Sequence, residues 1–181
     1  MKRAELEHLI RAASAITRER DLVIVGSQAI LGSIPDAPTR APELVRSLEA
    51  DMYPLDRPEL SDLIEGALGA LSDFDSTFGY HADGVGPETA ILPTGWKDRL
   101  VTVETPATGG GRGLCLEVHD LAISKLAAGR EKDLEFVEAM LAHSLTNIEV
   151  LRERLRDTER LDPAKRPVIE QWLDAHEPRK V

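Results

Sequence analysis

One cysteine, Cys115, leaves no partner for an internal disulfide, and this scarcity fits a reducing cytoplasm. Aromatic residues are only 4% of the chain, so a core must be built from Leu, Val, Ile and Ala. Positive charge is outnumbered: 22 basic against 32 acidic residues give a net charge of −10. That balance argues against a broad nucleic-acid-binding surface. It leaves phosphate-bearing substrates open, because a metal ion and a few local cations can hold them. No apolar run approaches the roughly 18 residues of a membrane span. The opening MKRAELEH is charged, unlike an apolar signal core, so no membrane association is expected. There is no H-x-E with C-x-x-C zinc pattern, no Walker loop and no G-x-S-x-G elbow. Cys115 lies in an expected strand and reads as core, and Trp96 and Trp172 read as packing anchors.

What is present is a chain of 181 residues that is 42% hydrophobic, enough to bury a core. Leu6, Leu9, Ile10, Ala13 and Ile16 recur at helical spacing, predicting a helix over Lys2–Arg20. Strands are predicted at Leu22–Val25, within Glu43–Met52, at Phe78–Val85, at Arg99–Glu104 and at Leu114–Val118, the last two pairing as a hairpin. Pro35, Pro38 and Pro42 mark Gly32–Pro42 as a loop, and Pro87–Asp98 reads as turn. Glu59–Leu71 reads as a helix whose interior glycines, Gly66 and Gly69, would permit close packing on a sheet. From His119 onward the pattern is helical: a segment interrupted at Gly129, then Glu131–Leu145, Asn147–Glu159 and Pro163–His176. The expectation is an α/β (α+β) fold, a mixed sheet flanked by helices. Residues 1–118 would form the core, and 119–181 a helical region packed on it.

Leu22–Asp51 carries the chemistry. The β-branched run Leu22–Val25 stops at Gly26-Ser27, where a helix can begin. Backbone N–H groups at such a bend form a cradle for anions. Further on, Ser47, Glu49 and Asp51 occupy alternate positions and share a face on a strand. Two carboxylates would then stand roughly 7 Å apart, measured between Cα atoms. Like charges that close resist joint ionisation unless a cation lies between them. An isolated E-x-D more often marks two acids on a solvated strand face. A phosphate cradle on the neighbouring strand shifts the balance toward a divalent-metal site, with Glu49 and Asp51 as ligands of Mg²⁺ (or Mn²⁺).

This combination resembles the minimal nucleotidyltransferase superfamily, in particular its toxin-like AbiEii branch. There, a Gly-Gly or Gly-Ser turn precedes a D-x-D pair that often follows a Thr or Ser by two residues. Gly26-Ser27, Ser47, Glu49 and Asp51 match in that order, with Glu49 in place of the first Asp and a longer connector between the motifs. A second match is HDLAISKLAAGREKDLEF, where Lys125, Leu126, Ala128, Arg130, Lys132 and Asp133 follow the branch's K-L-x-A…R…K/R-D run. On one continuous helix Lys125 and Lys132 would share a face, two cations for a triphosphate, with Asp133 orienting one of them.

The resemblance implies a nucleotidyltransferase that moves NMP from an NTP to a hydroxyl on tRNA or protein. It implies Gly26, Ser27, Ser47, Lys125 and Lys132 around the nucleotide, and a toxin of a toxin–antitoxin or phage-defence pair with a cognate antitoxin. A third catalytic carboxylate is expected from a neighbouring strand: Asp83 first, with Glu88 and Glu117 as rivals. The competing reading is an inactive binding module on the same fold.

Overall fold

The structure, a computed structural model, describes residues 1–177. It is mixed α/β, and the chain divides into two compact units. The first comprises Met1–Thr89 and Arg99–Glu117. The second joins Ala90–Asp98 to the chain from Val118 onward.

In the first unit, helix α1 (Arg3–Thr17) buries Leu6, Leu9, Ile10 and Ala13 of the predicted stripe, and ends it with Thr17 in place of the expected Ile16, which is only half-buried. Glu5 turns back to accept from the Lys2 backbone N–H, closing the first turn. Strand β1 (Asp21–Ile24) then enters the centre of a five-stranded sheet. Its partners are β2 (Glu49–Pro54), β3 (His81–Gly84), β4 (Val101–Val103) and β5 (Arg112–Cys115). The spatial order is β3-β2-β1-β5-β4. β1 runs antiparallel to β2 and parallel to β5, β2 runs parallel to β3, and β4 and β5 form the expected antiparallel pair.

Close approaches show which face the helices cover. A methyl group added to Gly113 would fall 2.5 Å from Ile10 Cδ1 of α1. One on Gly84 would fall 2.0 Å from the Ser61 carbonyl of α4 (Ser61–Leu68). One on Gly32, in α2 (Ile30–Ser33), would fall 2.5 Å from Cys115 Cβ. Register and the period-two pleat put Gly113, Cys115, Ile24, Met52 and Gly84 on one face. Glu49, Asp51, His81 and Asp83 therefore project from the other.

Several predicted boundaries move, each for a local reason. The proline-rich connector is not a plain loop. Pro38 and Pro42 sit in the first turns of α3 (Ala37–Arg40) and of a 3-10 turn over Pro42–Val45, where proline's missing N–H costs nothing. Strand β2 begins at Glu49, inside the expected Glu43–Met52, and runs on past Met52 to Pro54. Phe78 is helical: Ser72 caps α5 (Asp73–Phe78), Gly79 closes it at φ 74°, and β3 starts only at His81. Gly66 has open space around it and permits no close packing, while Gly69 lies beyond the end of α4. It is Gly84, on the strand, that lets helix and sheet approach.

The second unit contains α6 (Val118–Ala128), α7 (Glu131–Ala142), α8 (Ile148–Arg156) and α9 (Arg166–Ala175). The Asn147 side chain caps α8, accepting from the N–H groups of Glu149 and Val150. Gly129, at φ 71°, separates α6 from α7. The continuous helix that would place Lys125 and Lys132 on one face is therefore not formed.

Two substitutions separate these glycine roles. Gly84→Ala should destabilise the protein by about 1–3 kcal/mol, because backbone must give way. Gly66→Ala should stabilise it by about 1 kcal/mol, as expected for an exposed helix interior. Thermal unfolding of the two variants is the measurement, and the shifts in Tm must have opposite signs.

Candidate functional site

The site is built at the point where β1 ends and β2 begins. Val25 N–H donates to the Asp51 carbonyl at 3.0 Å, so the bend at Gly26 lies beside Asp51. A Cβ on Gly26 would fall 1.6 Å from Asp51 Oδ2 and 2.6 Å from its Cγ. The Asp51 carboxylate thus lies against the Gly26 backbone in space that any side chain would fill. Gly26 itself has φ −80° and ψ −170°, extended geometry open to any residue. Glycine is required here by proximity and not by backbone conformation.

Asp51 is in register with Asp83 on β3, and Glu49 with His81. All four side chains are half-buried, while Ala50 and Ala82 between them are fully buried on the opposite face. Burial pushes the Asp83 carboxyl above its ordinary range. His81 opposes that shift, while the charges of Glu65, Asp51 and Glu49 add to it. Asp83 is therefore close enough to feel the charge of both predicted acids of β2.

Ser47 lies just before β2. Its hydroxyl donates to the Glu49 carbonyl at 3.2 Å and accepts from the Glu49 N–H at 3.3 Å. Ser27 opens a 3-10 turn, Ser27–Ala29, that runs into α2. Glu88 is exposed, with a carboxylate folded over Gly86: a Cβ there would lie 2.1 Å from its Oε1. Tyr53, two residues beyond Asp51, is pushed up to about 12, mainly by burial and secondarily by Glu88. Glu117 follows β5, which β1 separates from β2. Of the three candidate third acids, Asp83 is the one whose strand pairs directly with the Glu49–Asp51 strand.

Three residues escaped the sequence reading. Gln28, fully buried, donates from Nε2 to the Ser47 carbonyl at 3.1 Å and ties the bend to the entry of β2. His81 lies between two carboxylates, Nδ1 3.1 Å from Asp75 Oδ1 and Nε2 3.5 Å from Asp83 Oδ1. Asp75 sits in the first turn of α5, a helix that the sequence pattern did not predict. For His81 a signal existed: in HADG it alternates with Asp83.

Lys125 and Lys132 belong to the second unit, on α6 and α7 respectively. Asp133, 1% exposed, lies 3.3 Å from Lys125 Nζ and 2.5 Å from Arg130 Nε. Burial disfavours ionisation of Asp133, but the Arg130 hydrogen bond and the Lys125 charge outweigh it and hold the carboxyl low. Asp133 thus orients Lys125, while Lys132 is exposed. Cys115 is buried, its thiol pushed up to about 12, which makes it core and not a nucleophile.

Among the described residues, no group of three or more His, Cys, Asp or Glu could by itself hold a metal ion. The donor set still fits Mg²⁺, which is commonly held by one or two carboxylates together with waters and substrate phosphates. A set of acids on one sheet face, beside a bend where only glycine fits, is such a set.

A family model described as nucleotidyltransferase of unknown function (DUF6036) matches residues 4–168. No curated protein and no solved structure matches the chain.

The raised Asp83 carboxyl has a consequence for stability. The folded chain holds this proton more tightly than the unfolded chain. The group's stabilising contribution is therefore present below the unfolded value, about 3.9, and is lost as pH rises through the raised folded value. Asp83→Asn should raise Tm at pH 7, with the gain shrinking as pH falls below about 4. Melting curves across this range check it, and a lower Tm for the variant at pH 7 would refute the repulsion.

Proposed function

Because this chain belongs to a family of nucleotidyltransferases of unknown function, we propose that it transfers a nucleoside monophosphate from an NTP to an acceptor hydroxyl, using the acids of β2 and β3. The observation that carries the reading is the contact between Asp51 and the Gly26 bend. It places a carboxylate and a set of backbone amides side by side, which is what a metal-bridged triphosphate requires. Mg²⁺ or Mn²⁺, held by Glu49 and Asp51, would offset charge on the transferring phosphoryl group. Gly26 and Ser27 bind the β- and γ-phosphates, and Ser47 fixes the strand entry. Asp83 takes the proton as the acceptor oxygen bonds to the α-phosphorus and the bond to pyrophosphate breaks. Its raised affinity for a proton suits that role. Lys125 and Lys132 are cations for the nucleotide or acceptor phosphates.

The Lys125–Asp133 run supports a finer placement in the AbiEii-like branch. With it comes a role as the toxin of a toxin–antitoxin or phage-defence pair, acting on tRNA or protein and restrained by a cognate antitoxin. A cytoplasmic location accompanies that role. One feature favours nucleotide binding without transfer: Glu49 stands where the resembled family carries its first Asp, which changes the reach of that carboxylate by one methylene.

The two readings separate in one set of measurements. Calorimetry with NTP and Mn²⁺ or Mg²⁺ should show binding at millimolar concentration or below. Labelled NTP should pass its label to bulk tRNA or to lysate protein. The Glu49→Ala/Asp51→Ala double variant should lose at least about a hundredfold in rate, as for loss of groups that stabilise transition-state charge. Gly26→Ala should do the same without removing any charge. Binding with no transfer would select the module, and transfer surviving the double substitution would exclude these acids.

A further inference from the structure

The face that carries the acids also carries an imidazole between two carboxylates, and the second carboxylate comes from outside the sheet. Asp75 is fixed at three points. Its N–H donates to the capping Ser72 hydroxyl at 3.1 Å. Its Oδ2 accepts from the Leu71 N–H at 3.0 Å. Its Oδ1 faces His81 Nδ1 at 3.1 Å. The Leu71 donor is unusual, since the residue sits at φ 66°, where L side chains are uncommon, with 93% of it exposed. That conformation buries nothing. What it accomplishes is to aim a backbone N–H at Asp75.

The restraint passes onward. His81 is in strand register with Glu49, and its Nε2 reaches the Asp83 carboxylate at 3.5 Å. Asp83, in register with Asp51, is where a flexible carboxylate would be turned away by its neighbours' charge. The imidazole, tied to Asp75 from behind, stands against that carboxylate. Outer-shell partners that orient metal-ligating side chains typically affect activity 10–100-fold when removed, and a loss of that order is expected here.

We infer that His81 is a positioning residue for Asp83, and that Asp75, set by the Ser72 cap and the Leu71 N–H, is the anchor that orients the His81 ring. This rests on the nucleotidyltransferase reading of the same acids. His81 touches neither nucleotide nor acceptor, and acts through Asp83.

The test uses the full-length protein with His81→Ala, His81→Gln, His81→Asn and Asp75→Asn. His81→Ala should lower kcat for label transfer by about 10–100-fold, with KM for NTP within about twofold of the parent. Gln places an amide nitrogen near the position of Nε2 and should restore part of the rate. Asn places one near Nδ1 and should restore none. Asp75→Asn should fall in the same direction as His81→Ala with a smaller loss. An unchanged kcat for His81→Ala would overturn the inference. So would rescue by Asn and not by Gln, or a loss of rate that merely follows a loss of Tm in all four variants.

A second measurement needs no activity. In ¹⁵N–¹H spectra of the nucleotide-free protein, Asp83→Asn should shift the His81 Nε2 signal, and Asp75→Asn the Nδ1 signal. Those shifts, in a protein that transfers no label to any acceptor, would sink the functional reading and leave the His81 tether standing. Absent shifts in a protein that does transfer would sink the tether alone.

Discussion

The site depends on one close approach. The Asp51 carboxylate occupies the space where any residue other than glycine at position 26 would carry its side chain. Antiparallel pairing of β1 with β2 sets the two positions next to each other, and the absence of a Cβ lets them touch. Register then passes the arrangement outward. Asp51 fixes the position of Asp83 on β3, and Glu49 that of His81. A shift of β2 by one residue would send Glu49 and Asp51 to the face that α1 and α4 cover. The packing of Gly84 under Ser61 and of Gly113 under Ile10 therefore guards the chemistry as well as the core.

The sequence disclosed the type and order of the main elements because their signals are local and repeated. The stripe in α1, the β-branched run of β1 and the Asn147 cap each decide their element without help from the rest of the chain. The acid pair was legible for the same reason: a period of two is a property of neighbouring residues. What could not be read was non-local. The α5 turn depends on the Ser72 cap and Gly79, set inside a stretch whose aromatic residues, Phe78 and Tyr80, suggest a strand. His8 of α1 packs against Phe74, Phe78 and Tyr80, a cluster that no spacing announces. Gln28 looked like ordinary helix start, and only the fold brings it to Ser47.

Gly129 is where two expectations competed. The pattern predicted an interruption there, while a shared face for Lys125 and Lys132 required a helix continuous through it. A left-handed glycine breaks that helix, and α7 begins afresh at Glu131. The break is what brings Asp133 to Lys125 across the turn. Eight positions apart on an unbroken helix, the two side chains would lie about 12 Å apart along the axis.

Buried acids in the two units follow different logic, and the contrast bears on function. In the second unit each buried carboxylate has a cation: Arg154 Nε lies 3.4 Å from Asp120, and Lys125 and Arg130 flank Asp133. Attraction within the fold accounts for those acids, and nothing further is needed to explain them. On the sheet face the balance runs the other way. Burial and the charges of Glu65, Asp51 and Glu49 all act against ionisation of Asp83, and the imidazole of His81 is the opposing influence. At Asp83 an amide of the same shape would spare the fold that cost. On the proposed reading, a multivalent cation and the phosphates it carries would turn the repulsion felt by Asp83 into shared attraction.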